Sequence, residues 1–475
     1  MAVEYDVVVI GGGSGGLVIA AAAAQLKAKV ALVESDRLGG DCLWYGCVPS
    51  KSLIYASRIA YSVKNAARFG IYCQNPQIDF ALANGHLQKA IAAIQPHDSP
   101  ERFESLGVEV IFGSGQFIDR QTFEVNNRQL KARAFACATG SRAKIPPIPG
   151  LKTAGYLTNE QVFSLPELPP SLAVIGGGPI GCELGQAFSR LGSKVTIIAS
   201  SDHLLPKEDP EAALVIQQQL ELEGIRVINA TRVERIEQID GKKHLWAGTQ
   251  KITADEILVA AGRMPNVESL NLEAAGVEVG EKGIRVNEKL QTTNPRIYAC
   301  GDVIGGYQFT HVAGYEASVV LKNALFFPLT KANYRVIPWA TFTDPELARV
   351  GLTEKQAKQR YGDDIYVLKQ EFAGVDRAQA EAATKGFAKI ITRGNGQILG
   401  AHLVGASAGE LLHEIVLAMS NNLKVSALSG IIHIYPTLAE VNSKAALLLT
   451  KQKYAKNQKL QNLLLRFFSL MRKLA

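Results

Sequence analysis

Apolar residues recur along the chain in two distinct periods, and their alternation with glycine-rich turns predicts an α/β fold. In residues 6–10 (Asp-Val-Val-Val-Ile) one acid leads into a continuous apolar run, the kind buried on both faces of a parallel sheet. Gly11-Gly12-Gly13-Ser14-Gly15-Gly16 follows, then an alanine-rich stretch that predicts a helix, then a second strand, Lys29-Val30-Ala31-Leu32-Val33, ending in Glu34. The order recurs further on: Ser171-Leu172-Ala173-Val174-Ile175 leads into Gly176-Gly177-Gly178-Pro179-Ile180-Gly181. Strand, glycine turn, helix and strand in succession make a dinucleotide-binding unit, and two copies imply two nucleotides.

The end of the chain has another pattern. Read as a helix, Lys459, Asn462, Arg466, Ser469 and Lys473 form one polar stripe, and Leu460, Leu463, Leu464, Phe467, Phe468, Leu470, Met471 and Leu474 fill the opposite face. A basic stripe beside a broad apolar face suits either a helix lying in a membrane interface or one docked on its own fold.

Each glycine unit carries its own chemistry. Glycine at 11, 13 and 16 allows the tight turn, the close approach of pyrophosphate and the helix–strand contact. Ser14 and Gly15 complete a loop that places phosphate at a helix N-terminus, and Glu34 stands where a carboxylate takes ribose hydroxyls. In the second unit Gly176, Gly178, Ile180 and Gly181 repeat the turn, but the position equivalent to Glu34 is Ala199. Ser200, Ser201, His203 and Lys207 follow, all able to donate hydrogen bonds. The missing acid favours NADPH over NADH.

Cys42 and Cys47 lie in Gly39-Gly40-Asp41-Cys42-Leu43-Trp44-Tyr45-Gly46-Cys47-Val48-Pro49-Ser50-Lys51, just after the first unit. With four residues between them they can close a small disulfide. Pro49 suits the first turn of a helix, which places Cys47 at a helix N-terminus where the dipole favours a thiolate. Lys51, four residues later, falls on the same face. The alternative is a structural disulfide or two buried thiols.

The 475 residues predict roughly three domains. Six cysteines in so long a chain do not make a secreted disulfide framework, and Cys73, Cys137, Cys182 and Cys300 read as buried small hydrophobes. The acidic N-terminus enters a strand at once and no apolar run reaches about 18 residues, so a cytoplasmic enzyme is expected. The net charge of +7 resides in residues 451–475, which hold seven basic residues and no acid, leaving 44 basic and 44 acidic residues elsewhere. That distribution excludes a nucleic-acid surface spread over the fold.

Taken in order, the first glycine unit, the Cys42–Cys47 segment with Lys51, Ala138-Thr139-Gly140, the second glycine unit with Glu183, Ala261-Gly262-Arg263-Met264-Pro265-Asn266 and Tyr298-Ala299-Cys300-Gly301-Asp302 resemble the pyridine nucleotide–disulfide oxidoreductases. That family includes mercuric reductase, dihydrolipoamide dehydrogenase and glutathione reductase. The resemblance covers about residues 4–450. It implies two Rossmann-like domains, for FAD and NAD(P)H, with a C-terminal α+β dimerisation domain, and a homodimer. The implied parts are 1–148 and 268–335 for FAD, 149–267 for NAD(P)H, 336–450 for dimerisation and 451–475 as a basic tail.

The resemblance also implies roles. Cys42 and Cys47 would be the redox pair, with Lys51 and Glu183 the lysine–acid pair beside the flavin. Gly40, Asp41, Thr139, Gly140, Gly262 and Asp302 would bind cofactor, and a helix from about His311 would point at the flavin. Asp41 stands where many relatives have threonine. In the disulfide reductases a histidine precedes Pro-Thr, with a glutamate five residues after it. Here His433-Ile434-Tyr435-Pro436-Thr437-Leu438-Ala439-Glu440 keeps Glu440 but puts Tyr435 at the histidine position, and His433 is the nearest substitute base. Loss of that base favours a mercuric-reductase-like acceptor, a soft metal ion held transiently by Cys42 and Cys47 with no structural metal elsewhere. The cysteine pair that those enzymes carry near their C-terminus is missing from residues 451–475. The alternatives are a low-molecular-weight or protein disulfide, a quinone reduced directly by flavin, and a membrane-associated interaction protein.

Overall fold

A computed structural model describes residues 3–74 and 76–474. The chain packs as two compact units, Met1–Ser200 with Gly224–Asn333, and Ser201–Glu223 with Tyr334–Ala475.

In the first unit the expected strand, helix and strand are β1 (Tyr5–Ile10), α1 (Ser14–Gln25) and β2 (Val30–Glu34). β1 lies between β2 and the strand Arg128–Cys137, parallel to both, with Val7 opposite Val30 and Ala134. Successive side chains of a strand point to opposite faces. Val7 and Val9 accordingly enter a core with Ile19, Ala20 and Ala23 of α1, while Val8 and Ile10 enter another with Phe117, Phe123 and Phe135. Those three phenylalanines meet edge to face, with centroids 5.0 and 5.4 Å apart. The alanines of α1 let its axis lie close over the sheet.

After β2 come α2 (Gly40–Trp44) and α3 (Cys47–Lys64). The second glycine unit forms β3 (Ser171–Ile175), α4 (Pro179–Leu191) and β4 (Lys194–Ile198). Its sheet runs Arg226–Ile228, β4, β3, Glu256–Val259, all parallel. α3 packs against α4: Lys64 Nζ donates to the Arg190 carbonyl at 2.9 Å, and the Arg190 guanidinium lies 4.0 Å over the Tyr61 ring. The helix that begins at Cys47 therefore joins both glycine units. α5 (Thr310–Leu325) lays Ala317 and Val320 into the same core as α1.

The second unit is built on an antiparallel sheet ordered Pro338–Thr341, Glu346–Gly351, Ile398–Gly405, Phe387–Thr392, Tyr366–Glu371. Phe342-Thr343-Asp344-Pro345-Glu346 makes the connection between its first two strands. Arg349, His402 and Lys389 form one row across three adjacent strands. They meet Glu208, Asp209 and Glu211 at the start of the helix Pro210–Leu222, with Lys389 Nζ 3.0 Å from Asp209. Cations as buried as Lys389 (2 % exposed) are tolerated only when paired. This ionic layer packs residues 201–223, part of the segment 149–267 that the resemblance implies for the coenzyme, with the C-terminal sheet.

α6 (Glu440–Lys456) buries Val441, Ala445, Ala446 and Leu449 against the sheet. The chain breaks at Asn457 and continues as α7 (Gln458–Leu474), which has no buried residue. Asn457 Oδ1 accepts from the Leu460 amide at 3.0 Å, and the Gln461 side chain donates to the carbonyls of Tyr454 and Ala455, so side chains satisfy both helix ends at the break. One sequence expectation needs correction: Cys73 is exposed, because it lies in the irregular segment after α3, whereas Cys137, Cys182 and Cys300 are buried as expected. Among the described residues no helix is long and apolar enough to cross a membrane.

Candidate redox site

The first glycine loop has the shape its sequence requires. Gly11 sits at φ +105°, and a Cβ there would come within 2.4 Å of the Ala138 carbonyl oxygen; at Gly16 it would lie 1.8 Å from the Gly11 carbonyl oxygen. At Gly13, the residue before α1, a Cβ would meet nothing nearer than Gly40 Cα at 3.9 Å. The loop is thus closed on its protein side and open at Gly13, with Ser14 and Gly15 in the first turn of α1. Glu34 stands at the end of β2 and accepts from the Gly12 amide at 2.6 Å. These residues fit a dinucleotide.

The second loop repeats the geometry. A Cβ would lie 2.3 Å from the Ala260 carbonyl oxygen at Gly176 and 2.0 Å from the Gly176 carbonyl oxygen at Gly181, while Gly178 has open space. Ile180 is in the first turn of α4. β4 ends without a carboxylate: Ala199 is buried and Ser200 exposed. Two of the other expected phosphate donors are engaged within their own loop, where Ser201 donates to the His203 carbonyl and His203 Nδ1 meets the Leu204 carbonyl.

Cys47 is the first residue of α3, and Gly46 precedes it because a Cβ there would lie 2.9 Å from the Asp41 carbonyl oxygen. The sulfurs of Cys42 and Cys47 are close enough for the titration of one to depend on the other. Cys42, the Lys51 cation and Thr310 together outweigh burial and lower the Cys47 pKa to about 6. Thr310 Oγ1 is 3.7 Å from Cys47 Sγ. Cys47, together with burial, raises the Cys42 pKa. The two shifts run in opposite directions, so negative charge on the pair is favoured at Cys47 over Cys42. Lys51 Nζ lies 2.9 Å from Glu183 Oε2, and Glu183 is 6 % exposed on α4.

A second cluster lies around Asp302. Ser141 Oγ donates to it at 2.5 Å and Arg263 Nε is 3.5 Å away. Burial raises the pKa of Asp302 and the negative charge of Asp41 adds to the rise, against Ser141 and Arg263. The turn at Thr139 and Gly140 is stitched to Asn266: Thr139 Oγ1 donates to the Asn266 carbonyl at 2.7 Å and the Asn266 amide donates to Gly140 at 3.0 Å. Gly262, at φ +113°, has open space on its Cβ side, and its carbonyl accepts from the Lys144 amide. α5 starts at Thr310 rather than His311, and His311 is exposed, its ring stacked on Phe309.

In the second unit, His433, the expected substitute base, and its neighbours Tyr435 and Glu440 each have a nearby partner. His433 Nε2 is 2.9 Å from Glu414 and the side chain is 10 % exposed. Tyr435 donates to Asp376 at 3.0 Å, and that carboxylate raises the tyrosine pKa. Glu440 starts α6 and lies 3.6 Å from Lys444.

Sequence reasoning missed Thr310, Asn159 and the bridging role of Arg263. Arg263 lies in the motif Ala261-Gly262-Arg263-Met264-Pro265-Asn266; nothing local to Thr310 or Asn159 marks them. Among the described residues there is no group of three or more His, Cys, Asp or Glu side chains able to hold a metal ion.

Comparison with known proteins agrees with this arrangement. The chain is 37 % identical to a mercuric reductase of Staphylococcus aureus over 94 % of its length and 83 % of the relative's. It is 33 % identical to a dihydrolipoyl dehydrogenase of Bacillus subtilis (strain 168) over 93 % of this chain and 98 % of that one. A copper(II) complex of the HOCl-induced flavoprotein disulfide reductase RclA from Escherichia coli superposes with a TM-score of 0.85 at 29 % identity, covering 94 % of this chain and all of that one. Residues 337–446 match the family's dimerisation domain, which supports a homodimer. Residues 5–317 match its pyridine nucleotide-disulphide oxidoreductase domain. The chain belongs to the pyridine nucleotide-disulphide oxidoreductase family, whose members are FAD-dependent and take electrons from NAD(P)H.

Proposed function

We propose that the chain is an NADPH-dependent, mercuric-reductase-like enzyme that delivers two electrons through Cys42 and Cys47 to a soft metal ion. The observation that carries this reading is the state of the loop 433–440. Tyr435 occupies the base position with a raised pKa, and His433 is held by Glu414. A disulfide acceptor needs a proton as it leaves, whereas a soft divalent ion needs two sulfur ligands and no base. Residues 1–148 and 268–335 hold FAD in this reading, residues 149–267 hold NADPH, and Glu34 takes the ribose hydroxyls of FAD.

Bound FAD supplies the two-electron relay between nicotinamide and disulfide. The remaining steps belong to the chain. Lys51, Thr310 and the N-terminus of α3 keep Cys47 deprotonated, and Glu183 holds Lys51 in place. The entering ion displaces the proton of Cys42, both sulfurs hold it, and it leaves as a neutral atom after taking up two electrons that originate in NADPH.

The test is NADPH oxidation by the purified flavoprotein with mercuric ion, lipoamide, glutathione disulfide or a quinone as acceptor. Mercuric ion should give the highest kcat/KM, and Cys42→Ala and Cys47→Ala should abolish that turnover while sparing quinone reduction. Faster turnover of lipoamide or glutathione disulfide overturns the metal reading.

Coenzyme choice follows from Ala199. Introducing an acid by Ala199→Glu places a charge where a 2′-phosphate would lie, and like-charge contact costs several kcal/mol. The ratio of kcat/KM for NADPH over NADH is expected above one in the parent and at least about tenfold lower in the variant. A parent that prefers NADH shows that the missing acid does not set the choice.

A second reading concerns the tail, and the exposed helix α7 favours it. Leu463, Leu465, Phe467, Phe468, Leu470 and Leu474 are each at least half exposed, on a segment with no acid. An exposed apolar face between basic residues matches an anionic membrane surface, and residues 455–475 bind it peripherally in this reading. Each cation near such a surface contributes on the order of 1 kcal/mol, less as salt rises. The full chain should sediment with anionic vesicles and not with neutral ones, and a chain ending at Lys456 should stay in solution. Equal pelleting of both chains, or loss of the dimer in the shortened one, assigns the face to packing instead.

A further inference from the structure

We propose that Asp41 is a positioning residue that holds Cys42 over Cys47 and so sets how readily their disulfide is reduced. Cys42 sits in α2, a single helical turn in which only Leu43 is buried. Such a short helix has little packing of its own, and an outside anchor must hold it in place. Asp41 supplies one through both carboxylate oxygens. Oδ2 lies 3.1 Å from an Arg263 terminal nitrogen, and Oδ1 accepts from Asn159 Nδ2 at 2.8 Å.

Both anchors are rigid. The Arg263 side chain is 14 % exposed and donates again to the Ser141 hydroxyl at 2.7 Å and the Ser141 carbonyl at 2.8 Å, beside Asp302. Asn159 is 7 % exposed and also lies within 3.2 Å of the Tyr45 carbonyl, inside the turn between the cysteines. The Asp41 side chain is 38 % exposed, and on its inner side the Gly46 backbone comes close: a Cβ there would lie 3.2 Å from Asp41 Oδ2 and 3.2 Å from Cys42 Cα. Arg263 and Asn159 thus hold Asp41 through both carboxylate oxygens, and Cys42 is its neighbour in sequence.

The chemical consequence concerns the equilibrium of the disulfide with two thiols, which takes up two electrons and two protons on reduction. A disulfide within one turn is stable in proportion to how often the two sulfurs meet, their effective concentration. Loosening α2 lowers that frequency without touching either sulfur, so the disulfide becomes easier to reduce. A structural role alone would lower stability and leave this equilibrium unchanged.

The experiment equilibrates the holoenzyme with mixtures of reduced and oxidised dithiothreitol. Free thiols are then trapped with a maleimide, and the fraction of Cys42 and Cys47 labelled is read from the mass of their peptide. Asp41→Asn severs the Arg263 arm, Asn159→Ala severs the other, and Asp41→Ala severs both. Each single-arm variant should shift the equilibrium constant about threefold toward the dithiol, and Asp41→Ala about tenfold. Single-arm variants that stay within twofold of the parent overturn the proposal, even where Asp41→Ala does not fold. The inference rests on Cys42–Cys47 being the redox couple; a parent that shows no titrating couple refutes that reading instead.

Discussion

Cys42→Ala should give an oxidised holoenzyme with absorption at longer wavelength than the flavin itself, and Cys47→Ala should not. Such absorption arises when a thiolate lies against the flavin ring, and Cys47 is the sulfur built to be a thiolate. It heads α3, it has Lys51 on its own helix face, and Thr310 lies 3.7 Å away. Cys42 has its pKa raised by the same pairing that lowers that of Cys47. The pH dependence follows from the sign of the shift. A thiol lowered from 9.0 to about 6 is charged above pH 6, so the band in the two-electron-reduced parent should be present at neutral pH and vanish as the solution is acidified through about 6. In Cys42→Ala the largest lowering contribution is gone, and the midpoint should move up. Turnover of metal or disulfide acceptors should fall by about three orders of magnitude or more in either variant, since the two sulfurs act as a unit. Identical spectra for the two variants would show that the roles are misassigned.

The parts of this site that could be read from the sequence are those encoded within a few residues. Strand, glycine turn, helix and acid are local signals, and the structure shows both units with their turns closed at Gly11 and Gly176. The placement of Cys47 at a helix start followed from Pro49. What could not be read are contacts made across large separations by side chains without a pattern. Asn159 reaches Asp41 across 118 residues, and Thr310 reaches Cys47 across 263. His433 shows the same limit, because its sequence neighbours suggest a base while its partner, Glu414, lies on the helix Ala408–Ser420, 19 residues earlier. The grouping of residues 201–223 with the C-terminal sheet was hidden for a related reason: Lys389 and Asp209 are 180 residues apart, and nothing in the period of either segment announces the pair.

Lys51 offers the other large effect, because it acts on two quantities that can be separated. Glu183 is 6 % exposed and its carboxylate takes Lys51 at 2.9 Å, whereas the Lys51 side chain is 36 % exposed. Lys51→Met removes the cation from a carboxylate that water hardly reaches, a loss on the order of 2–3 kcal/mol in folding stability. Lys51→Met with Glu183→Leu removes both charges and should recover most of that loss, since an apolar pair of similar size carries no desolvation penalty. The thiolate behaves otherwise. Lys51 lowers the pKa of Cys47 and Glu183 raises it, the lysine contribution being the larger. The thiolate band should therefore titrate at higher pH in both variants, whether or not stability returns. Thermal unfolding and a pH titration of the long-wavelength band, run on the same three proteins, distinguish the two effects. A double variant that regains both the stability and the parent's midpoint would mean that Lys51 serves only to neutralise Glu183, leaving Thr310, Cys42 and the start of α3 to hold the thiolate.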